Sequence, residues 1–361
     1  MSEDFPDAQT LHAVLSQAIR APSIHNSQPW RWRVGNSHLH LYADPDVQLP
    51  SIDPDGRDRM VSCGAALHHC VIAFAAVGWR AQVRRFPNPA DPDHLAAMEL
   101  FRAPITASDI ALSAAAQLRR TDRRRYSDQP MPAVTIDAIC AGLTHIGVTV
   151  REVRSLPRLR RIVALSVRQH TADHDYLVEL NTWSRRHACS TGVLARNAAL
   201  TDPAEAIRGR SLAGGVVAGP HSAETGDDNG VVLALGTSND CSLARLRAGE
   251  ATSVVLLRAT MSGLATCPVT EPLEIAETRE VVQREVFADK ASPQMLLRIG
   301  WAPADAEPLP LTPRRPLHDV VEDLGWADAN AADRRTSWAA FCLGQHGSTS
   351  GAKPDWAGYR A

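Results

Sequence analysis

The chain has 361 residues, 44% of them hydrophobic, and a formal net charge of −2 at pH 7. That length and apolar content suit one large globular domain or two ordinary ones, and the missing basic surplus argues against a general nucleic-acid binder. Lys290 and Lys353 are the only lysines, so the informative feature of the positive charge is where the arginines cluster.

Apolar spacing predicts a helix over 11–21, closed by Pro22. The loop APSIHNSQPW (21–30) follows, and RWRVGNSHLHLYAD (31–44) reads as a hairpin. A loop rich in Pro and Asp spans 45–58. CGAALHHCVIAFAAVGW (63–79) is apolar nearly all round, the pattern of a buried helix. WRAQVRRF and HLAAMELFR read as strands. A helix over 108–120, a helix over 133–142 and a strand over 147–154 come next. A single long amphipathic helix is predicted over 159–184 and a buried strand over 230–240. A second all-apolar helix follows over 248–264, and a strand over 295–302. Residues 185–228 are rich in Gly, Ala, Ser and Asp with weak periodicity, and 323–361 reads as a loosely held tail.

Two of these segments repeat. CGAALHHCVIAFAAVGW and AGEATSVVLLRATMSGL are both buried helices, with Gly64 and Gly78 spaced like Gly249 and Gly263, and each leads into a strand. The fold class expected is α+β: two tandem halves, 10–105 and 106–322, that imitate a homodimer within one chain.

Three stretches carry candidate chemistry. RRTDRRRY (119–126) sets five arginines in eight residues, which repel one another unless an anion or acidic side chains sit among them. Guanidinium forks match phosphate oxygens in pairs, although a solvated helix end would look the same. Arg314 and Arg315 form a second pair between Pro313 and Pro316. In APSIHNSQPW, Ser23, Asn26 and Gln28 offer donors and acceptors on a backbone restrained by Pro22 and Pro29. Ile24, His25 and Ser27 lie between them. The loop holds no carboxylate or cysteine and reads as a recognition surface for a polar ring. No glycine-rich phosphate loop follows a strand.

Other signals are weaker. His170 and His174 share a helix face without a third metal ligand. His68 and His69 read as packing residues, and Glu250 as a helix-start cap. Seven dispersed cysteines, at 63, 70, 140, 189, 241, 267 and 342, form no C-x-x-C pair, the usage of a reducing compartment. The acidic N-terminus has no apolar signal core, and no apolar run approaches the ~20 residues of a membrane span. A cytoplasmic chain with no membrane or nucleic-acid partner is expected.

Together these residues resemble the FMN-dependent nitroreductases. That family carries an R-R-S/T-x-R element for the flavin phosphate, a P-S-x-x-N-x-Q-P-W loop for the ring, and an arginine near the C-terminus on the phosphate. Pro22, Ser23, Asn26, Gln28, Pro29 and Trp30 match the loop. Arg119, Arg120, Thr121 and Arg123 match the phosphate element, with one extra residue before the expected aromatic, Tyr126, which leaves open whether Arg123 or Arg124 makes the contact. Arg314 or Arg315 matches the terminal arginine. GLATCPVTEPLEI, which contains Pro268, and PQMLLRIGWAP also look like the family. The resemblance covers roughly residues 10 to 322.

The distribution is asymmetric. The first half has the ring loop without a phosphate element. The second has the phosphate element, but reads IDAICAGLTHIGVTV where a ring loop should follow. This looks like the Acg-like actinobacterial branch, with fused halves, one FMN per chain and a segment folded over the flavin as a lid. The candidate lid is 185–228. The resemblance implies hydride transfer from NAD(P)H through flavin N5 to an unnamed small-molecule substrate. A non-catalytic FMN storage protein is the alternative. Either a monomer or a homodimer is compatible with an internal pseudo-dimer.

Overall fold

The computed structural model describes residues 5–184, 190–193 and 230–323. Most of the proposed lid and the whole tail beyond 323 lie outside the described residues.

The first half opens with helix α1 (Ala8–Ala18). The Asp7 carboxylate accepts the Thr10 N–H at 2.7 Å and so caps its start. A 3₁₀ turn (Ile24–Asn26) leads into strands β1 (Trp30–Val34) and β2 (His38–Ala43). These pair antiparallel, Trp30 opposite Ala43 and Val34 opposite Leu39. Alternation is clean: Trp30, Trp32 and Val34 are buried, while Arg31 and Arg33 are more exposed. Helix α2 (Arg57–Ala76) and strands β3 (Trp79–Arg85) and β4 (His94–Arg102) complete the half.

Helix α2 starts earlier than its apolar run suggests. The Asp53 carboxylate accepts the N–H groups of Asp58 and Arg59 at 2.9 and 2.7 Å, satisfying first-turn donors outside the apolar segment. At 20 residues α2 is also long and apolar enough to cross a membrane, contrary to the sequence expectation, with 78% of its most apolar stretch buried inside the protein.

Helix α3 (Ala107–Leu118), capped by a reciprocal Thr106–Asp109 box, leads to the arginine elbow. The second half then repeats the order of the first. Helix α4 (Ala133–Cys140) and a 3₁₀ turn (Leu143–Ile146) precede strand β5 (Val148–Glu152). After an insertion come β6 (Val231–Thr237), helix α7 (Ser242–Met261), β7 (Ala265–Pro268) and β8 (Ser292–Gly300). The insertion begins with α5 (Leu156–Ala172) and α6 (His174–Ser184). These are two helices, not one: the chain turns extended at Asp173, whose φ is −94° and ψ 111°. Short α8 (Glu271–Glu274) and α9 (Ala276–Phe287) lie between β7 and β8.

One sheet runs β3-β4-β2-β1-β9 and the other, read from its far edge, β7-β8-β6-β5. The shared part has the same strand order. The extra strand β9 (Val321–Asp323) pairs parallel with β1, Trp32 opposite Val321. Leu317 and Val320, in the short helix α10 (Leu317–Val320), join the core of the first half. The sequence boundary at 322 therefore ends on a segment packed into the first half.

Helices α2 and α7 pack together at the centre, crossing at Gly64 and Gly249. A Cβ on either glycine would lie 2.0 Å from a carbonyl oxygen of the opposite helix, so only glycine admits this approach. Near the crossing, His68 Nδ1 meets Ser253 Oγ at 2.8 Å. Ser253 also meets His69 Nδ1 at 3.0 Å, and His69 contacts the Ala65 carbonyl at 3.0 Å. Burial lowers both histidines below their ordinary range, His68 to about 4, so the pair is held neutral within the packing.

Candidate functional site

A cleft opens where the two halves meet. One compartment, about 840 Å³, is walled by Pro22 to His25 of the loop, by Asp58, Ser62 and Ala65 of α2, and by Thr252 of α7. The segment Pro268–Glu271 also lines it. A second, about 620 Å³, shares Pro22, Ser23, His25, Thr121, Arg123 and Val193 with the first and adds Arg119, Arg120 and Arg314. The loop of the first half and the arginine run of the second thus share one cleft.

The loop is strained. His25, Asn26 and Gln28 have φ of 48°, 54° and 54°, in the left-handed region that non-glycine residues avoid. Such strain persists only where surrounding contacts over-determine it. Ser23 Oγ accepts the Gln28 N–H at 3.0 Å, and Ser62 Oγ accepts that of Ile24 at 3.1 Å. Asn26 Nδ2 donates to the carbonyls of Gly192 at 3.2 Å and Pro313 at 3.1 Å. Gln28 Nε2 donates to Ser190 O at 2.8 Å, and its Oε1 accepts the Arg315 N–H at 2.8 Å. The amides expected to face a ring are therefore committed to the chain itself, and Ser27 is fully buried. The part of the loop that walls the cleft is Pro22 to Asn26.

The arginine elbow is pinned to β7. Asp122 N donates to Thr266 O at 2.8 Å, and Thr121 forms a parallel bridge with Thr266. Arg124 is held by the Asp122 carboxylate at 3.0 and 2.8 Å and by Glu307 O at 2.7 Å. Arg298 stacks on Tyr126, 3.5 Å from the ring centroid. Arg123, by contrast, lines both compartments. Of the two arginines left open by the extra residue, Arg123 is the one at the cleft.

The terminal pair divides in the same way. Arg315 leaves the cleft for Asp44 Oδ2 at 2.8 Å, a carboxylate with no exposure. Arg314 lines the cleft wall, where Nε donates to Ile19 O at 2.8 Å, Nη1 to Asn26 Oδ1 at 3.0 Å, and Nη2 to Arg20 O at 2.9 Å. It ties the end of α1 to the loop.

The electrostatics of this end are one-sided. Arg119 is 6% exposed, and its Nε and Nη1 have no hydrogen-bond partner among the described residues. Burial first, then the charges of Arg120 and Arg20, push its guanidinium down to about 10. Burial, followed by Arg119, Arg20 and Arg120, drives Arg314 well below the ordinary range. Arg120 and Arg20 are also lowered, by burial and, for Arg120, by Arg20. No carboxylate figures among these causes. Clustered, desolvated cations of this kind are stabilised by an anion placed among them. Nothing in the sequence marks Arg20, because a lone arginine at a helix end carries no motif.

Other sequence candidates fall elsewhere. Glu250 sits mid-helix in α7, bound by Arg85 at 2.7 and 2.5 Å, and is no cap. His170 stacks on Tyr176 with centroids 3.9 Å apart and meets Glu271 at 3.3 Å. Among the described residues no group of three or more His, Cys, Asp or Glu could hold a metal ion. Ser62, Asp58 and Thr252 also line the cleft, and no sequence pattern marks them for it; Thr270 and Glu271, which line it too, lie in the family-like stretch GLATCPVTEPLEI.

Over 322 residues the chain is 53% identical to "Putative NAD(P)H nitroreductase Rv3131" of Mycobacterium tuberculosis, spanning 89% of this chain and 94% of that protein. The chain belongs to the NAD(P)H nitroreductase family. It is also 37% identical over 328 residues to "Putative NAD(P)H nitroreductase acg" of the same organism, covering 87% of this chain and 97% of that one. Among solved structures it is similar to the FMN-dependent nitroreductase NfnB from Mycobacterium smegmatis, in complex with NADPH. That likeness has a TM-score of 0.38 and 16% identity, over 59% of this chain and 97% of the other. No protein-family model matches the chain.

Proposed function

We propose that the chain is an FMN-dependent oxidoreductase that takes electrons from NAD(P)H, with one flavin held between its two halves. The observation that carries this is the buried cation cluster around Arg119, whose Nε and Nη1 have no hydrogen-bond partner among the described residues, in a cleft walled by both halves. This fits a phosphate monoester. Arg119, Arg120 and Arg123 would hold the phosphate, with Thr121 beside them. Charge-assisted hydrogen bonds of this type contribute roughly 1.5–3 kcal/mol each.

The wider compartment would take the ring, against Pro22–His25 on one side and Pro268–Glu271 on the other. Bound FMN supplies hydride chemistry through ring N5. The protein's own part is to bind and orient. The strained loop is fixed before any ligand arrives, so little ordering cost remains for binding. Asn26 and Gln28 act one step back, holding Ser190–Gly192 beside the cleft. Val193 lines both compartments and would help exclude water from the ring. In this reading the inserted segment serves as a lid. A storage role, in which the same segment denies donors access, rests on the same contacts.

The repeated strand order and the reciprocal glycine crossing support an internal pseudo-dimer. The departures from that symmetry account for a single flavin. Counted from Gly64 and Gly249, Glu250 of α7 corresponds to Ala65 of α2, and Arg85 of β3 to Thr270 after β7. Ala65 and Thr270 line the cleft, whereas Glu250 and Arg85 form a bidentate ion pair that fills the corresponding position in the other half. The phosphate arginines have no counterpart there either.

Stopped-flow mixing with NADPH and NADH tests the enzymatic claim. Bleaching of the yellow flavin by either donor is expected; a flavin that both leave oxidised removes the oxidoreductase reading and favours storage.

A further inference from the structure

The side-chain hydroxyls of the two central helices are nearly all committed. Ser62 donates to Asp58 O at 2.6 Å and accepts from Ile24 N. Ser253 contacts both buried histidines. Thr260 and Ser262 bond back to the carbonyls of Leu256 and Arg258 at 2.8 and 3.0 Å, the usual outlet for a hydroxyl inside a helix. Thr252 takes no such outlet. It is 2% exposed, its Oγ1 has no hydrogen-bond partner among the described residues, and it is one of the residues that line the larger compartment.

A buried hydroxyl without a partner is costly, and in a native fold it calls for an explanation. The glycine crossing three residues earlier holds α7 tightly against α2 at this point. We propose that Thr252 Oγ1 is a ligand-binding group, hydrogen-bonded to a polar atom in the part of the flavin that riboflavin shares with FMN. This rests on the flavin reading above and adds to it a contact from α7, separate from the arginine end. Thr252 would then fix the depth and tilt of the bound flavin against the helix crossing.

The test uses the full chain stripped of flavin and titrated with FMN and with riboflavin, followed by fluorescence, for the wild type, Thr252→Val and Thr252→Ser. Thr252→Val should lose about fivefold in affinity for both flavins, the size of one net hydrogen bond, while Thr252→Ser stays close to wild type. The flavin-free Thr252→Val protein should melt no lower than wild type, because the change removes an unsatisfied buried hydroxyl. Unchanged affinity for both flavins in Thr252→Val, or a lower flavin-free melting temperature with unchanged affinity, overturns the assignment alone. A wild-type chain that binds neither flavin overturns the flavin reading along with it.

Discussion

Gly64 and Gly249 touch each other reciprocally: a Cβ on Gly64 would meet Leu246 O, three residues before Gly249, and a Cβ on Gly249 would meet Val61 O, three residues before Gly64. His68 and Ser253, which share a hydrogen bond, are 185 residues apart, the same interval as the glycines. This reciprocity supports the internal pseudo-dimer proposed above.

The glycine crossing makes a sharp stability prediction. Alanine is favoured over glycine by about 1 kcal/mol in a helix interior, yet each added methyl would sit 2.0 Å from a backbone carbonyl. Gly64→Ala and Gly249→Ala should therefore lose about 3 kcal/mol or more, since the helices must separate. Urea unfolding monitored by circular dichroism checks this; a wild-type midpoint for either variant would contradict the packing.

Arg119 and Arg315 should behave in opposite ways. Arg119→Ala removes a buried cation from a like-charged cluster, so the flavin-free protein should be at least as stable as wild type. Its FMN affinity should fall about 10- to 100-fold, the loss of roughly 1.5–3 kcal/mol, with riboflavin affinity unchanged. Arg315→Ala leaves buried Asp44 with one fewer partner. It should lose about 2 kcal/mol of stability and still purify yellow. Paired thermal melts and flavin titrations separate the two roles.

Asp53 gives the chain a pH signature. Burial, then the neighbouring Asp58 carboxylate, raises it to about 6 from an ordinary carboxylate value of 3.8. A raised acid favours the folded state while protonated, so its contribution is full below about pH 4 and lost as pH rises through about 6. Wild type should lose about 2 kcal/mol across this window relative to Asp53→Asn. Melting temperatures of both proteins between pH 4 and 7 test it; parallel curves would contradict it.

The ion pair of Arg85 and Glu250 should be structural only. Glu250→Ala strands the Arg85 guanidinium, 25% exposed, and should cost about 2 kcal/mol. The flavin-to-chain ratio should not change. A rise toward two flavins per chain in this variant would show that the position filled by this ion pair retains a functional site.

What the sequence disclosed was local. The loop APSIHNSQPW and the run RRTDRRRY announce themselves because their residue types are crowded into a few positions. The hairpin after the loop was legible from strict alternation at Trp30, Trp32 and Val34. What depended on distant partners was not legible. Asn26 and Gln28 turn away from the cleft because the carbonyls of Ser190, Gly192 and Pro313 are brought to them from far along the chain. Arg315 is drawn off by Asp44 and Arg124 by Asp122, choices that adjacency in sequence leaves open. The break at Asp173 interrupts a helical periodicity that continues on both sides of it. Arg20 and Thr252 carry no motif, and only their burial singles them out.

The most direct test of the central claim is the visible absorption spectrum of the purified full chain after incubation with excess FMN and removal of unbound flavin. The account predicts a yellow protein with about one FMN per chain that becomes colourless when Arg119 and Arg123 are both replaced by alanine. A wild-type chain that emerges colourless, or a double variant that keeps its full complement of FMN, would contradict it.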